Sequence, residues 1–346
     1  MRVLVTGGTG FLGRCVVAAL LERGHEVRAL VRSSRSGASL PKGVEEVSGD
    51  LRLRHTLPDA VRGVDAVVHL AACVVGDDEA QFASTVVGSE NLLDAMAAEG
   101  VSRLVHCSSF SVYDWSHAPR MFDESAPLER NLYQRDGYAI AKAWQERLVR
   151  RYAEKHGWQL TVLRPGFIWG AGNEQIAAIG HSFGTFHVVF GGRRSLPITY
   201  VENCAECFAL ALESPAGIGA TFNIVDDEQP SAWRYMGRCR RELGLGGHRL
   251  YVPYWCGLTL ARLAAVASRT IFHGKGKLPG LLVPCRYQAR FRPALFSNAK
   301  VKSALGWKPR WSFDEAWRRT RRVKGSNATA TSTMAAVVAQ ETPCEV

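Results

Sequence analysis

A chain of 346 residues, 47% hydrophobic and 22% charged, is long enough to bury one large core or two ordinary ones and has the composition of a soluble globular protein. Nine thinly spread cysteines make no disulfide framework, residues 1–6 read as a strand and not a secretory leader, and no apolar run is long enough to span a bilayer, so reduced thiols and a cytoplasmic setting are expected. The formal charge of +11 is uneven: residues 231–324 hold 21 Lys and Arg against 3 Asp and Glu, which points to an anionic neighbour there, a phosphate-bearing substrate or an acidic membrane surface.

Residues 2–6 form a short apolar strand that runs into Gly7-Gly8-Thr9-Gly10-Phe11-Leu12-Gly13, and helical periodicity follows over 14–23. Strand, glycine turn and helix together are the context of a dinucleotide site, where glycine lets the backbone approach a pyrophosphate resting on the helix N-terminus. The glycines fall at 7, 10 and 13, a G-x-x-G-x-x-G spacing instead of G-x-G-x-x-G. A second strand over 26–31 ends at Arg32-Ser33-Ser34-Arg35. An acidic residue at that point would bind the ribose hydroxyl of NAD, whereas an arginine suits the 2′-phosphate of NADP, so Arg32 favours NADP over NAD.

Further strands are expected over 44–48, 66–70, 102–107 and 159–163, separated by helices over 53–62, 78–99 and 138–156. Such alternation implies an α/β fold with a doubly wound parallel sheet of Rossmann type and right-handed crossovers. Ligands gather at the carboxyl ends of these strands. Asp50 and Leu51, then His69, Leu70, Ala71 and Ala72, then Ser108 and Ser109, then Arg164, Pro165 and Gly166 all stand there.

Tyr138 and Lys142 are four apart in a helical stretch, which places both on one face, roughly 5–6 Å apart at Cβ. An ammonium beside a phenol favours the phenolate and lowers its pKa from about 10 toward working pH. Such a phenol can take a proton from an alcohol or return one to a carbonyl while a hydride moves elsewhere.

On these segments the chain resembles the extended short-chain dehydrogenase/reductases, also grouped as NAD-dependent epimerase/dehydratases. The resemblance is carried in order by residues 6–13, Gly49-Asp50-Leu51, residues 69–72, residues 108–113, Tyr138 to Lys142 and residues 163–166, and later by 197–203 and 305–309. It implies that Tyr138 is the general acid/base, that Lys142 lowers its pKa and holds the nicotinamide ribose, and that Ser109 bonds the reacting oxygen. Ser109 is chosen over Ser108 and Ser111 by counting back from Val112-Tyr113. Gly7, Gly10, Phe11, Leu12 and Gly13 would lie along the pyrophosphate, Asp50 and Leu51 beside the adenine, and Ala71 and Ala72 on the ribose side. Thr9, Leu70 and Pro165 complete the expected cofactor groove.

Departures from the family pattern narrow the chemistry. Phe110-Ser111 stand where dehydratases of the family carry Asp-Glu, which argues against dehydration. Phe167 and Leu196 replace the asparagine and arginine of nucleotide-sugar epimerases, with Arg193 and Arg194 just upstream as substitutes for the diphosphate grip. Thr85 stands where many members carry an asparagine that orders a water. What remains is similar to the reductase side, the 3β-hydroxysteroid dehydrogenases and dihydroflavonol-type reductases, with Phe167, Trp169, Phe183, Phe186 and Phe190 available for an apolar pocket or for the core.

The expected organisation is a cofactor domain over 1–165 to which 196–226 return, a smaller C-terminal substrate-binding domain from 166–195 and 227–324, and a disordered tail over 325–346. Residues 166–190 read as loop and helix insertions, 205–212 as a helix and 221–225 as a strand. Cys204 and Cys207 have metal-like spacing but no second pair, and two small apolar positions on one helix turn is the better reading; no metal is expected. Residues 251–272 form an apolar helix with Arg262 and Arg269 on one face, which suits an anionic membrane and a substrate-domain helix alike. The expected activity is NAD(P)-dependent hydride transfer at a secondary alcohol or ketone carbon. A nucleotide-sugar epimerase with retained NAD and a non-catalytic NADP-binding regulatory or assembly protein are the rivals. The expected partners are a small-molecule substrate and a second copy of the chain, with no nucleic acid.

Overall fold

The computed structural model describes residues 1–32, 40–183, 185–271 and 278–327. From the N-terminus it runs β1 (Arg2–Thr6), α1 (Phe11–Glu22), β2 (Glu26–Val31), β3 (Glu45–Ser48), α2 (Pro58–Val61) and β4 (Ala66–His69). Next come α3 (Asp78–Phe82), a π-helical turn (Ala83–Val87), α4 (Gly88–Ala98), β5 (Arg103–Cys107), β6 (Met121–Phe122), α5 (Gly137–His156) and β7 (Gln159–Pro165). Beyond these lie β8 (Phe167–Trp169), β9 (Gly180–Phe183), β10 (Phe186–Phe190), β11 (Ile198–Tyr200), α6 (Val201–Glu213) and β12 (Thr221–Ile224). The chain then continues through α7 (Ala232–Leu243), β13 (His248–Val252), α8 (Tyr254–Ile271), α9 (Pro284–Phe291), β14 (Leu295–Phe296), α10 (Ala299–Leu305) and α11 (Phe313–Asn327).

Seven strands form one wholly parallel sheet in the order β12-β7-β5-β4-β1-β2-β3. Its central strands are near-continuous apolar runs because both faces are covered, whereas β3 at the edge, Glu-Glu-Val-Ser, is mostly exposed. Val3, Val5 and Val68 pack with Val16, Val17 and Leu20 of α1 and with Phe208 and Leu212 of α6. Leu4, Val67 and Leu104 pack on the other side with Val61 of α2, Leu92 and Met96 of α4, and Val149 of α5. Successive side chains of a strand point to opposite faces, so the two cores alternate residue by residue. Strand order reverses between β1 and β4, which opens a crevice at their carboxyl ends.

Several expectations are corrected outside this sheet. Residues 166–190 are not loop and helix insertions: β8 pairs with β11, and β10 pairs with β9 and β13. Tyr251 and Val252 belong to β13, so the apolar helix begins at Tyr254, and Phe272 lies outside the described residues. α11 continues through Asn327, which takes 325–327 out of the expected tail, and 328–346 lie outside the described residues. Trp169 is not a pocket residue, because it is fully buried against Tyr235 and Trp317. Cys204 and Cys207 are both fully buried in the core beneath α6. Among the described residues no helix is long and apolar enough to cross a membrane.

α5 is the element that the site depends on. The Asp136 carboxylate caps it by accepting from Ala139 N at 3.0 Å, and Gly157, at φ +66°, ends it in the left-handed region. Its inner face carries Glu146, only 2% exposed, which accepts from Ser108 Oγ at 2.5 Å and from Arg164 Nε and Nη2 at 3.0 and 2.5 Å. Arg150 adds a second guanidinium at 2.8 Å. Arg164 in turn donates to the Tyr113 hydroxyl at 3.1 Å, and that hydroxyl donates to Asn223 Oδ1 of β12 at 2.6 Å. Burial opposes ionisation of Glu146, but the Arg164 hydrogen bonds and charge outweigh it and hold the carboxyl down at about 2.

A carboxyl held lower in the folded than in the unfolded protein stabilises the fold fully above the ordinary value of 4.5, and that stabilisation is lost as pH falls through the folded value. Glu146→Gln, which strands Arg164 without a counter-charge, is expected to cost about 3–5 kcal/mol at neutral pH. Urea unfolding from neutral to acid pH checks this: the wild type should lose its advantage between about pH 4.5 and 2, and equal stabilities at neutral pH would refute the ion pair's role.

Candidate active site

The turn after β1 is shaped by what glycine permits. Gly7 has φ +74°, and a Cβ there would come within 3.0 Å of Ala71 N. At Gly13 a Cβ would collide with the Gly7 carbonyl oxygen. Gly10 N donates to that same oxygen at 3.0 Å, and Gly10 caps α1 without any side-chain bond, so the first-turn amides of α1 receive no cap from the protein. No acidic residue stands in that turn. Uncapped amides at a positive helix end, over a floor that a Cβ would fill, fit a pyrophosphate.

The structure brings the other expected cofactor residues to the same crevice edge. Thr9, Leu70, Ala71 and Ala72 are half-buried, and Ala71 N donates to Thr6 Oγ1 at 3.4 Å. Phe11 and Leu12 turn their side chains onto the Trp169 cluster, which leaves their backbone for the groove. Asp50 is held by Arg52, with contacts of 2.9 Å from the amide and 2.7 Å from Nη2. The Leu51 carbonyl accepts from Asn91 Nδ2 at 2.8 Å. Arg32 is exposed at the end of β2, and its charge joins that of Arg52 in lowering the Asp50 carboxyl. Ser33, Ser34 and Arg35 lie outside the described residues. Pro165 is buried at the end of β7, in register with Ile224.

Tyr138, Ser109 and Lys142 meet at the ends of β5 and α5. Ser109 accepts from Ser111 N at 3.1 Å and lies beside the Tyr138 phenol, whose ionised form it favours. Ser108 is committed to Glu146, and the buried Ser111 Oγ has no partner among the described residues. Burial pushes the Tyr138 phenol above its ordinary value, helped by Cys107 and Asp136 and opposed by Ser109. The expected lowering of that phenol by Lys142 is not what sets it. Lys142, 2% exposed, donates to the Cys107 carbonyl at 2.5 Å and to Gln145 Oε1 at 2.7 Å, and burial lowers its own pKa.

Gln145 is a residue that sequence reasoning missed. Its Nε2 donates to Ser89 Oγ at 2.8 Å and to the Ala71 carbonyl at 3.2 Å, and it lies 3.2 Å from His69 Nε2. His69 Nδ1 is 2.6 Å from Thr6 Oγ1. Burial, with the Lys142 charge, drives His69 down to about 3, so the ring is neutral. The signal was available, since positions 138, 142, 145, 146 and 149 share one helix face that is mostly polar and, half-buried Tyr138 apart, buried.

Other expected contributors are placed elsewhere. Thr85 is buried in the π-helical turn, and its hydroxyl accepts from Cys73 N at 2.9 Å. Arg194 is no diphosphate grip: it is buried, bonds the Ala178 and Phe190 carbonyls and lies over the Phe291 ring. Arg193 remains exposed. Phe190 packs with Tyr287 and Phe291, Phe186 is half exposed, and Phe167 is half-buried against the Trp169 cluster.

Residues 3–224 match the NAD dependent epimerase/dehydratase family. The 2-alkyl-3-oxoalkanoate reductase of Stenotrophomonas maltophilia is 34% identical over 342 residues, covering 95% of this chain and 100% of the reductase. The 3 beta-hydroxysteroid dehydrogenase/Delta 5→4-isomerase of Mycobacterium tuberculosis is 32% identical over 339 residues, covering 91% of this chain and 88% of its own length. Among solved structures, a short-chain dehydrogenase/reductase superfamily protein from Agrobacterium tumefaciens with bound NAD superposes with a TM-score of 0.70 at 25% identity, covering 95% of this chain and 98% of the other.

Proposed function

The chain belongs to the NAD-dependent epimerase/dehydratase family and is an NAD(P)-dependent enzyme, and on that premise we propose that it reduces a ketone to a secondary alcohol through Ser109, Tyr138 and Lys142. The observation that carries this reading is the placement of the Tyr138 phenol beside Ser109, just past the carboxyl end of β5, close enough for Ser109 to favour its ionised form. A nicotinamide bound in the groove would supply the hydride to the carbonyl carbon. Ser109 donates a hydrogen bond to the substrate oxygen, and Tyr138 delivers the proton that turns it into a hydroxyl. A phenol is protonated at neutral pH and can give its proton to the substrate oxygen as the hydride arrives. Lys142 holds its ammonium at the ribose side, where Gln145 and the Cys107 carbonyl fix its position. The relatives named as an oxoalkanoate reductase and a hydroxysteroid dehydrogenase support an alcohol/ketone pair as the reacting group. The engagement of Arg194 by backbone carbonyls and Phe291 counts against a nucleotide-sugar epimerase.

NADP is favoured over NAD because Arg32 stands exposed at the end of β2, where its guanidinium could meet a 2′-phosphate. A second proposal concerns α8. It buries Tyr254, Leu258 and Ala261 against α9, while Trp255, Leu260, Leu263, Val266 and Ile271 on the outer arc are 57–68% exposed. Arg262 and Arg269 lie at one rim of that arc, and α8 contains no acidic residue. We propose that this face rests on an anionic membrane, apolar residues down and guanidinium groups at the headgroups.

Tyr138→Phe is expected to lower kcat by about 10²- to 10⁴-fold with NADP binding retained. Absorbance at 340 nm during turnover of a panel of ketones is the check, and full activity of the variant would end the acid role. Arg32→Ala should weaken NADP by about tenfold to a hundredfold, the value of a hydrogen bond to a charged group, and leave NAD unchanged. Equal losses for both cofactors in fluorescence titration would count against NADP selectivity. Leu263→Asp should weaken co-sedimentation with phosphatidylserine–phosphatidylcholine vesicles by about tenfold or more. Unaltered sedimentation, or none for the wild type, would sink the membrane proposal.

A further inference from the structure

α7 and β13 hold a set of arginines that the hydride chemistry does not use. On α7, Arg238 is ion-paired with Glu242 at 3.0 Å and with Asp314 at 3.3 Å. Arg234, Arg240 and Arg241 on the same helix, with Arg249 on β13, have no carboxylate partner among the described residues. These four line one cavity of about 520 Å³ with Trp233, Gly237 and Leu245, and none of its lining residues is acidic.

Three of the four guanidinium groups are positioned by the protein, and that of Arg241 is exposed. Arg240 is pinned by the Leu245 carbonyl at 3.2 Å and the Gly247 carbonyl at 2.5 Å. The Arg249 guanidinium lies 4.0 Å from the Trp233 ring centroid, and Gly237 leaves it room, since a Cβ there would come within 3.1 Å of Arg249 Nη1. Arg234 lies over the Phe313 ring at 5.5 Å. Burial, and after it repulsion from Arg240, lowers the Arg249 pKa, which places the two guanidinium groups near one another. Planar forks fixed on several sides of a cavity match the oxygens of phosphoryl groups, which accept two parallel bonds from each fork.

A second cavity of about 560 Å³ shares Trp233 and is lined also by Gly192, Arg193, Ser231 and Tyr251. It offers an indole, a phenol ring and a hydroxyl to whatever carries the phosphoryl groups. Neither cavity shares a residue with the turn over 7–13 or with Arg32, so this anion site is separate from the cofactor groove. We propose that the arginine cavity binds the diphosphate part of an organic ligand whose remainder lies against Trp233 and Tyr251.

The test uses the full chain saturated with NADP, so that the cofactor groove is closed to competitors, and inorganic pyrophosphate as the probe. Calorimetry should show one saturable site that weakens as ionic strength rises, and the indole N–H resonance of Trp233, assigned by its loss in Trp233→Phe, should shift on binding. The double variant Arg240→Gln/Arg249→Gln should bind pyrophosphate at least about tenfold more weakly while NADP affinity stays as in the wild type. Vesicles of phosphatidylcholine and phosphatidic acid identify the source: displacement of pyrophosphate at the Trp233 resonance assigns the phosphoryl groups to a lipid headgroup, and no displacement assigns them to a free molecule. Absence of both saturable heat and the Trp233 shift in the wild type would overturn the proposal whether or not the double variant folds. Equal pyrophosphate binding by a folded double variant would overturn it too.

Discussion

Two opposite charges one helical turn apart, Lys142 and Glu146, are taken out of water on the inner face of α5, and where they find partners decides where that helix sits. Stranding either would cost several kcal/mol, far more than a single apolar contact returns. Lys142 finds the carbonyl of Cys107, the last residue of β5, and Glu146 finds Ser108, the next residue, together with Arg164 of β7. Both partners therefore lie at the carboxyl ends of central strands, and α5 is registered against those ends to within one residue. Tyr138, one turn earlier on the same face, is brought to Ser109 by that registration and not by any contact strong enough to place it alone.

The same polar face ties the cofactor crevice to the reacting groups. Lys142 bonds Gln145, Gln145 bonds the Ala71 carbonyl and Ser89 and lies against His69, and His69 lies against Thr6 at the end of β1. Gly7 follows Thr6 and backs directly onto Ala71. The glycine turn is thus joined to the Lys142 ammonium through three buried side chains, Thr6, His69 and Gln145, whose polar groups are bonded to one another. The proposed hydride transfer needs nicotinamide and proton donor held in fixed relation, and this network would be the physical means of holding them.

Much of this was legible in the sequence because it rests on local rules. β2 begins and ends where its apolar pattern does, at Glu26 and Val31, and the glycines at 7, 10 and 13 announce a turn that no other residue tolerates at positions 7 and 13. The Tyr138–Lys142 spacing places both on one face whatever else the helix does. Long-range pairings were not legible. β10 meets β13 some sixty residues away, and the short apolar stretch 186–190 cannot show that partner, so the region read as insertions. Glu146 and Arg164 look solvated in sequence, since both are charged, and only the packing of α5 on β7 makes them one buried unit. Arg194 misled for the opposite reason: an arginine near a ligand region was read by its charge, whereas its guanidinium serves as a strut between the Ala178 and Phe190 carbonyls.

The phenol of Tyr138 is the point at which local reading and burial disagree most instructively. Spacing alone makes the ammonium a neighbour that should favour phenolate, but Lys142 is bonded to the Cys107 carbonyl and Gln145 and is not among the groups that shift the phenol. Desolvation acts on the phenol and raises its pKa. A raised phenol is protonated at neutral pH, as an unshifted one would be, and can give its proton to a carbonyl. In the proposed reaction the proton is therefore in place before the hydride arrives. Loss of that proton to the substrate creates a buried phenolate, the one moment at which the Lys142 charge one turn away has its full effect, and stabilising that product state is the use to which a buried lysine at this spacing is best suited.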